Sequence, residues 1–268
     1  MTTTDKVFAG SIPEMYERLL VPLIFEPYAN DVASRMAQAR PQSILEVAAG
    51  TGVVTRAVAS QLPAARIVAT DLNQPMLDQA KKQLPDPRIA WQQADAQALP
   101  FEDRSFDAVV CQFGAMFFPD KVRAFKEARR MLKPGGRYVF SVWDRIEENE
   151  FADVVTQALA GIFPHDPPRF LARTPHGHHD VEPIRRQLQA AGFADIAVDV
   201  LAARSKAPSP REPAVAYCQG TPLRSEIETR DPASLERATE IASEAIAQRF
   251  GRGPVDGKIS AFVLTAMG

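Results

Sequence analysis

A chain of 268 residues can bury one substantial core and still carry a smaller cap or insertion. Hydrophobic residues at 46% and charged residues at 24% exclude wholesale disorder, a collagen-like repeat and a coiled coil. A net charge of -2 excludes a surface-wide field that would gather nucleic acid or an anionic membrane, so the expected partner is a small molecule.

Met1 to Lys6 hold no signal-peptide core, and the apolar run Leu19 to Phe25 is interrupted by Pro22 and is too short to cross a bilayer. A cytoplasmic protein without a transmembrane segment is expected. Ser11-Ile12-Pro13-Glu14 has the form of a capping box, and Pro27 opens a second helix with Tyr28, Val32 and Met36 on one face. Residues 1–40 thus read as a helical lid. In it Tyr16, Phe25 and Tyr28 either close over a ligand or pack two amphipathic helices, and Tyr28 fits packing better.

From Ser43 short apolar runs alternate with amphipathic ones. Strands are expected at 43–48, 66–71, 88–94, 106–112 and 136–142, and helices at 52–61, 74–84 and 120–132. This alternation predicts an α/β fold with a parallel sheet covered by helices. Lys121, Arg123, Lys126, Arg129, Arg130 and Lys133 share the last helix with Val122, Phe125 and Leu132, whose spacing marks a buried stripe. The basic residues are its solvated face. The two cysteines, Cys111 and Cys218, are far apart, which fits neither a disulfide scaffold nor zinc, and Cys111 lies in the apolar run Ala108 to Cys111 as a buried thiol.

Beyond Trp143 the rhythm loosens. A helix near 149–161 leads into a Pro- and His-rich segment ending at His179-Asp180, so 144–180 reads as a loop or lid. A helix at 181–191 and a strand at 195–203 close a core of 41–205. Residues 206–256 read as an insertion with a short helix around Tyr217 and a longer one at 232–249. The strand-like run 258–266, within the segment 257–268, completes the core.

The chemistry gathers at strand ends. Gly50 and Gly52 lie between an apolar strand and a helix, where missing side chains bring a ligand close to unpaired N–H groups. The next strand ends in Asp71, at the sheet edge where open α/β folds bind ligands, and a carboxylate there can accept both hydroxyls of a ribose. Asp71 can equally serve the following helix, whose cap is expected at Asn73. The third strand ends at Asp95 and runs into Gln97-Ala98-Leu99-Pro100-Phe101, a second acceptor suited to an adenine amino group. Gln112-Phe113-Gly114 ends the fourth strand, and Leu132-Lys133-Pro134-Gly135-Gly136 turns sharply into the fifth.

On these residues the run from about Ser43 to Val142 resembles the class I S-adenosylmethionine-dependent methyltransferases, especially the branch with quinone-biosynthesis enzymes. Three stretches carry the likeness: Glu46 to Gly52, Asp95 to Phe101, and Leu132 to Gly136. The resemblance implies a Rossmann-like seven-stranded mixed sheet flanked by helices, with an antiparallel last strand. It implies S-adenosylmethionine as cofactor, Glu46 and the backbone of Ala48, Ala49, Gly50, Thr51 and Gly52 at the methionine moiety, Asp71 at the ribose, Leu72 and Met76 on the adenine faces, and Asp95 with Ala96 at the adenine edge. Gln112 belongs to the same cofactor set. Ala48 stands where the family often has its first glycine, which requires a negative φ at that residue.

A methyl transferase of this kind works by positioning and desolvation, and needs a general base only if its small-molecule acceptor arrives protonated. His176, His178 and His179 could take a proton, bind a metal or form a solvated polar loop. His176, His179 and Tyr16 are the substrate-side candidates, and no metal is expected. Gln219-Gly220-Thr221-Pro222 borders the acceptor or is a plain turn. Two other readings compete. A nicotinamide-dependent oxidoreductase predicts Gly or Ala at position 55, where Thr55 stands, and a binding protein without catalysis predicts the same cofactor residues.

Overall fold

The apolar runs from Ser43 onward form β-strands in the computed structural model, which describes Asp5 and residues 7–268. Met1 to Thr4 and Lys6, part of the stretch read above for a signal core, lie outside the described residues. The strands are β1 (Ser43–Val47), β2 (Arg66–Asp71), β3 (Ile89–Gln93), β4 (Phe106–Gln112), β5 (Leu132–Trp143), β6 (Ile196–Ala207) and β7 (Val255–Met267). Their order is β3-β2-β1-β4-β5-β7-β6. Four pairs are parallel: β1 with β2, β2 with β3, β1 with β4 and β4 with β5. The other side reverses direction. Gly268 N–H donates to the Gly136 carbonyl and Asp144 N–H to that of Ser260, so β7 descends as β5 ascends. The sheet is therefore mixed, as expected.

The helices are α1 (Ile12–Met15), α2 (Glu26–Ala39), α3 (Val53–Gln61), α4 (Gln74–Gln83), α5 (Lys121–Met131), α6 (Glu150–Ile162), α7 (Phe170–Arg173), α8 (Val181–Ala190), α9 (Arg211–Gln219), α10 (Leu223–Arg230) and α11 (Leu235–Phe250). A ten-residue π-helix, Tyr16–Phe25, joins α1 to α2 and contains Pro22. The chain divides into two compact units.

One unit comprises Glu26–Val142, His179–Leu201 and Ala261–Gly268. Its core forms where the apolar faces of α2 and α3 meet β1, β2 and β4: Met36, Ile44, Val54, Val58, Ile67 and Val110 are all within 1% of full burial. Each such side chain stabilises the unit by roughly 1.5–3 kcal/mol. Tyr28 is fully buried, edge-on to Phe113 at 5.1 Å with its hydroxyl donating to the Leu201 carbonyl, in accord with its packing role.

Three local expectations for this unit need correction. The buried stripe of α5 is Ala124, Phe125, Ala128 and Met131, while Val122 is half-buried and Leu132 has already entered β5. The strand expected from residue 136 starts at Leu132. Phe106 pairs with Leu132 and Ala108 with Arg137, so two steps along β4 face five along β5 and the Lys133-Pro134-Gly135-Gly136 turn is a bulge inside one continuous strand. The cap expected at Asn73 has the right place and the wrong chemistry: its side chain makes no capping bond to α4 and instead joins its N–H in donating to Asp71.

The other unit comprises the residues up to Phe25, Trp143–His178 and Ala202–Ser260. Apolar faces of α6, α9 and α11 pack there, with Phe151 edge-on to Phe250 at 5.0 Å. Buried Asp5 accepts from Arg173 at 2.5 Å and Thr174 at 2.9 Å, and Glu226 accepts from the same guanidinium. Ser11 precedes α1 but caps nothing, because at φ -82° and ψ -7° its backbone is helical where a cap is extended; its hydroxyl accepts instead from Arg224 of α10, a helix unanticipated in the sequence. Gln219 to Pro222 is a plain turn from α9 to α10, where Thr221 Oγ donates to the Tyr217 carbonyl and accepts from Leu223 N–H.

Candidate functional site

The parallel strands β1, β2 and β4 present their carboxyl ends together, and the residues following each end build the candidate site within the first unit. Between β1 and α3 the chain turns through Ala48 to Gly52, with Ala48 at φ +55°, Gly50 at +56° and Gly52 at +83°. The expectation of a negative φ at Ala48 is thus wrong. The position keeps the left-handed backbone that a glycine would adopt without strain, and Ala48 holds it because its neighbours fix the turn. Ala49 N–H donates to the Thr70 carbonyl at 2.8 Å, and Gly52 N–H returns to the Ala49 carbonyl at 2.9 Å. Gly114, beyond β4, makes room for the Ala48 methyl, since a Cβ at Gly114 would lie 2.5 Å from it. Gly52 is excluded from carrying a side chain by Trp91, whose ring would be 2.9 Å from the added atom.

Two buried carboxyls frame the turn. Glu46, on β1, accepts from Thr55 Oγ of α3 at 2.5 Å. Burial raises its pKa to about 8, against the lowering pull of Thr55 and the Arg56 charge, with the Asp71 charge adding to the rise. Asp71, at the end of β2, is 8% exposed. One of its oxygens accepts from Gly50 N–H at 2.9 Å and the other from Asn73 N–H at 2.8 Å. Burial pushes its pKa upward and these backbone donors oppose the shift. Asp71 therefore ties the β2 edge to the glycine turn; Asn73 donates twice to one oxygen, and the oxygen facing Gly50 is the one suited to a ligand hydroxyl.

The other expected residues divide by exposure. Leu72, beside Asp71, is 43% exposed, an apolar surface open to solvent, whereas Met76 is sealed in the α4 packing at 3%. Asp95 is exposed and accepts from Gln97 N–H at 2.9 Å, while Ala96 next to it is buried. Gln112 ends β4 opposite Ser141 on β5. Thr51, buried to 1%, has a hydroxyl with no hydrogen-bond partner among the described residues. Thr55 makes a signal that sequence reasoning used only negatively: it stands against a dinucleotide fingerprint, and in the fold it holds Glu46. Thr70, which donates to the Glu46 carbonyl at 2.9 Å, was missed, since nothing in its local pattern tells a site residue from an ordinary strand residue, and Gly114 stood out only as the end of the fourth strand.

These residues fit S-adenosylmethionine. The glycine turn offers a close backbone approach, Thr51 brings an unsatisfied hydroxyl, Glu46 and Asp71 bring carboxyls suited to an ammonium and a ribose diol, and Leu72 brings an exposed apolar face.

Of the substrate-side candidates, Tyr16 and His176 lie in the second unit and His179 opens a segment of the first. His176 is 5% exposed, with Nδ1 2.9 Å from the Asp144 carbonyl and its ring 5.9 Å from that of Trp143; His178 and His179 are half-buried. The solvated-loop expectation fails for His176, because Trp143 and the Asp144 carbonyl provide both an apolar wall and a polar anchor. Among the described residues no cluster of His, Cys, Asp and Glu is arranged to hold a metal ion. Tyr16 stacks on Phe25 at 4.9 Å, and Phe25 lies 6.0 Å from Trp143.

Comparison with known proteins bears on the family and the fold. Residues 45–140 match a family model described as a methyltransferase domain. The chain is 32% identical over 183 residues to the demethylmenaquinone methyltransferase of Clavibacter sepedonicus, covering 62% of this chain and 74% of that protein. It is 31% identical to the ubiquinone/menaquinone biosynthesis C-methyltransferase UbiE of Saccharophagus degradans, covering 56% of this chain and 66% of that protein, just under two thirds of its length. The YcgJ protein of Bacillus subtilis shares the fold with a TM-score of 0.57 at 18% identity, over 90% of this chain and 98% of that one.

Proposed function

Because the chain belongs to the class I S-adenosylmethionine-dependent methyltransferases, we propose that it moves a methyl group from S-adenosylmethionine to a ring carbon of a small quinone-type acceptor. The observation that carries the methyl-donor half is Asp71, a buried carboxylate locked to the glycine turn through Gly50 N–H and to Asn73, with Glu46 behind the same turn. The acceptor half rests on the relatives, whose names specify quinone precursors and, for one, transfer to carbon.

S-adenosylmethionine supplies a methyl carbon on a sulfonium, an electrophile that needs no activation by the protein. The residues of the chain bind and orient. Asp71 accepts from the ribose hydroxyls, the Ala48 to Gly52 turn and Glu46 hold the methionine end, Leu72 covers an adenine face and Asp95 accepts at the adenine edge, with Ala96 and Gln112 completing the set. Met76 supports this surface from inside α4. Holding the acceptor carbon in line and excluding water supplies most of the rate.

Transfer to a ring carbon releases a proton. His176 is the better of the substrate-side candidates to receive it: the Asp144 carbonyl can only accept, so Nδ1 carries the proton and Nε2 is the basic nitrogen. Tyr16 and His179 are retained as acceptor-side contacts. The test incubates the chain with S-adenosylmethionine and a reduced naphthoquinone lacking its ring methyl. Release of S-adenosylhomocysteine that depends on the acceptor, with a product heavier by one CH₂, is expected. Cofactor binding without release for any phenolic or quinol acceptor would leave a binding protein instead of an enzyme.

A further inference from the structure

At the opposite, amino-terminal edge of the same sheet, where β4 and β5 begin, lies a cavity of about 600 Å³ whose lining is strongly basic. Five cations line it, and two are neutralised. Arg130 is held by Glu127 at 2.7 Å and Asp103 at 2.8 Å, and Lys133 by Asp107 at 2.8 Å. The remaining three, Arg104, Lys126 and Arg129, are exposed and have no ion-pair partner among the described residues.

Arg129 stands apart because its guanidinium packs closely on backbone, with no carboxylate beside it among the described residues. Its guanidinium lies flat against Gly192, where a Cβ would sit 3.1 Å from both Cζ and Nη1, and Gly192 at φ +97° adopts a backbone that disfavours any other residue. The backbone of Arg104 beside it is anchored, at φ +55° with its N–H donating to the Arg130 carbonyl at 2.8 Å. Leu132, Pro134 and Ala191 add apolar wall. A guanidinium fork packed on Gly192, two further cations and an apolar wall match a doubly charged phosphate carried on an apolar body, which bidentate arginine recognises better than a simple halide.

We propose that this cavity is a second ligand site, for a phosphomonoester with an apolar substituent, on the edge of the sheet away from the glycine turn. The test is calorimetric titration of the full chain with phenyl phosphate and with inorganic phosphate at constant ionic strength. Saturable binding is expected, tighter for phenyl phosphate because of the apolar wall. Arg129→Ala and Lys126→Ala each weaken it by about tenfold or more, and Arg129→Lys recovers part of the loss. Removing twice that charge elsewhere, by Lys81→Ala with Lys82→Ala on α4, leaves it within about twofold. S-adenosylhomocysteine affinity is unchanged in Arg129→Ala, which shows that variant to be folded. Absence of saturable binding, or equal weakening by the α4 control, overturns the proposal. Equal affinity for both phosphates overturns the apolar half and assigns the cavity to free phosphate.

Discussion

Ala48 bears the backbone strain of the glycine turn, and the strain is measurable. A left-handed conformation costs a non-glycine residue of order 1 kcal/mol, while glycine raises unfolded-chain entropy by a comparable amount. Ala48→Gly is therefore expected to leave stability within about 1 kcal/mol of the parent, with any change favouring the variant. Gly114→Ala drives a methyl to 2.5 Å from the Ala48 Cβ and 2.8 Å from Cys111 Sγ, and loses about 1–3 kcal/mol. Urea denaturation of both variants checks the pair; a stable Gly114→Ala would contradict this account of the turn. Glu46 gives a pH signature. Between its ordinary 4.5 and about 8 the folded chain keeps a proton that the unfolded chain has released. Its contribution to stability is full below the lower value and is lost as pH rises through the upper one. Cofactor-free melts are expected to fall more steeply with pH in the parent than in Glu46→Gln, and parallel slopes would sink this assignment. Residue roles were partly legible. Asp71 announced itself by its place after an apolar strand, whereas the φ of Ala48 depends on Thr70 and Gly114, distant in sequence, and could not be read locally.

Among elements, β1 to β4 and the helices between them were readable to within a residue or two, because each pairs one clear period with glycine, proline or polar boundaries. The errors fall where tertiary partners decide. Leu132 to Gly136 carries every mark of a turn, yet its backbone pairs with β4 through a bulge, since Phe106 and Asp107 offer a strand edge to complete. Tyr16–Phe25 reads as an ordinary amphipathic helix, with nothing to mark its π form, and α10 has no periodic pattern strong enough to mark it. The bulge provides the element-scale prediction. A Cβ at Gly136 would lie 2.9 Å from both the Asp107 and Lys133 carbonyls, so Gly136→Ala is expected to lower the denaturation free energy by about 1–3 kcal/mol. Gly135→Ala meets no atom within 4 Å, and only its φ of +77° opposes it, at about 1 kcal/mol. A reversed order would contradict the bulge geometry.

For the molecule as a whole, sequence order and spatial order diverge. The unit that holds the candidate cofactor site is assembled from three separated segments, the last being Ala261–Gly268. Its Ala261, Val263, Leu264 and Ala266 are fully buried. The sequence marked this run as a strand; that it returns beside β5 follows from the reversal of β7, which no local pattern encodes. Truncation after Ser260 removes apolar side chains worth roughly 1.5–3 kcal/mol for each large one, against a total stability of about 5–15 kcal/mol. Loss of a sharp melting transition is expected, and an unchanged one would show that β7 is dispensable. No described helix is long and apolar enough to cross a membrane.

The central claim is that Asp71 and the glycine turn it holds bind S-adenosylmethionine. Calorimetric titration of the full chain and of Asp71→Ala with S-adenosylmethionine, S-adenosylhomocysteine and NAD tests it most directly. Both sulfur nucleosides are expected to bind the parent and NAD not to, while Asp71→Ala, deprived of charge-assisted hydrogen bonds to the ribose and of its hold on Gly50, weakens them by about thirtyfold or more. Preference for NAD, or undiminished binding by Asp71→Ala, would contradict the account.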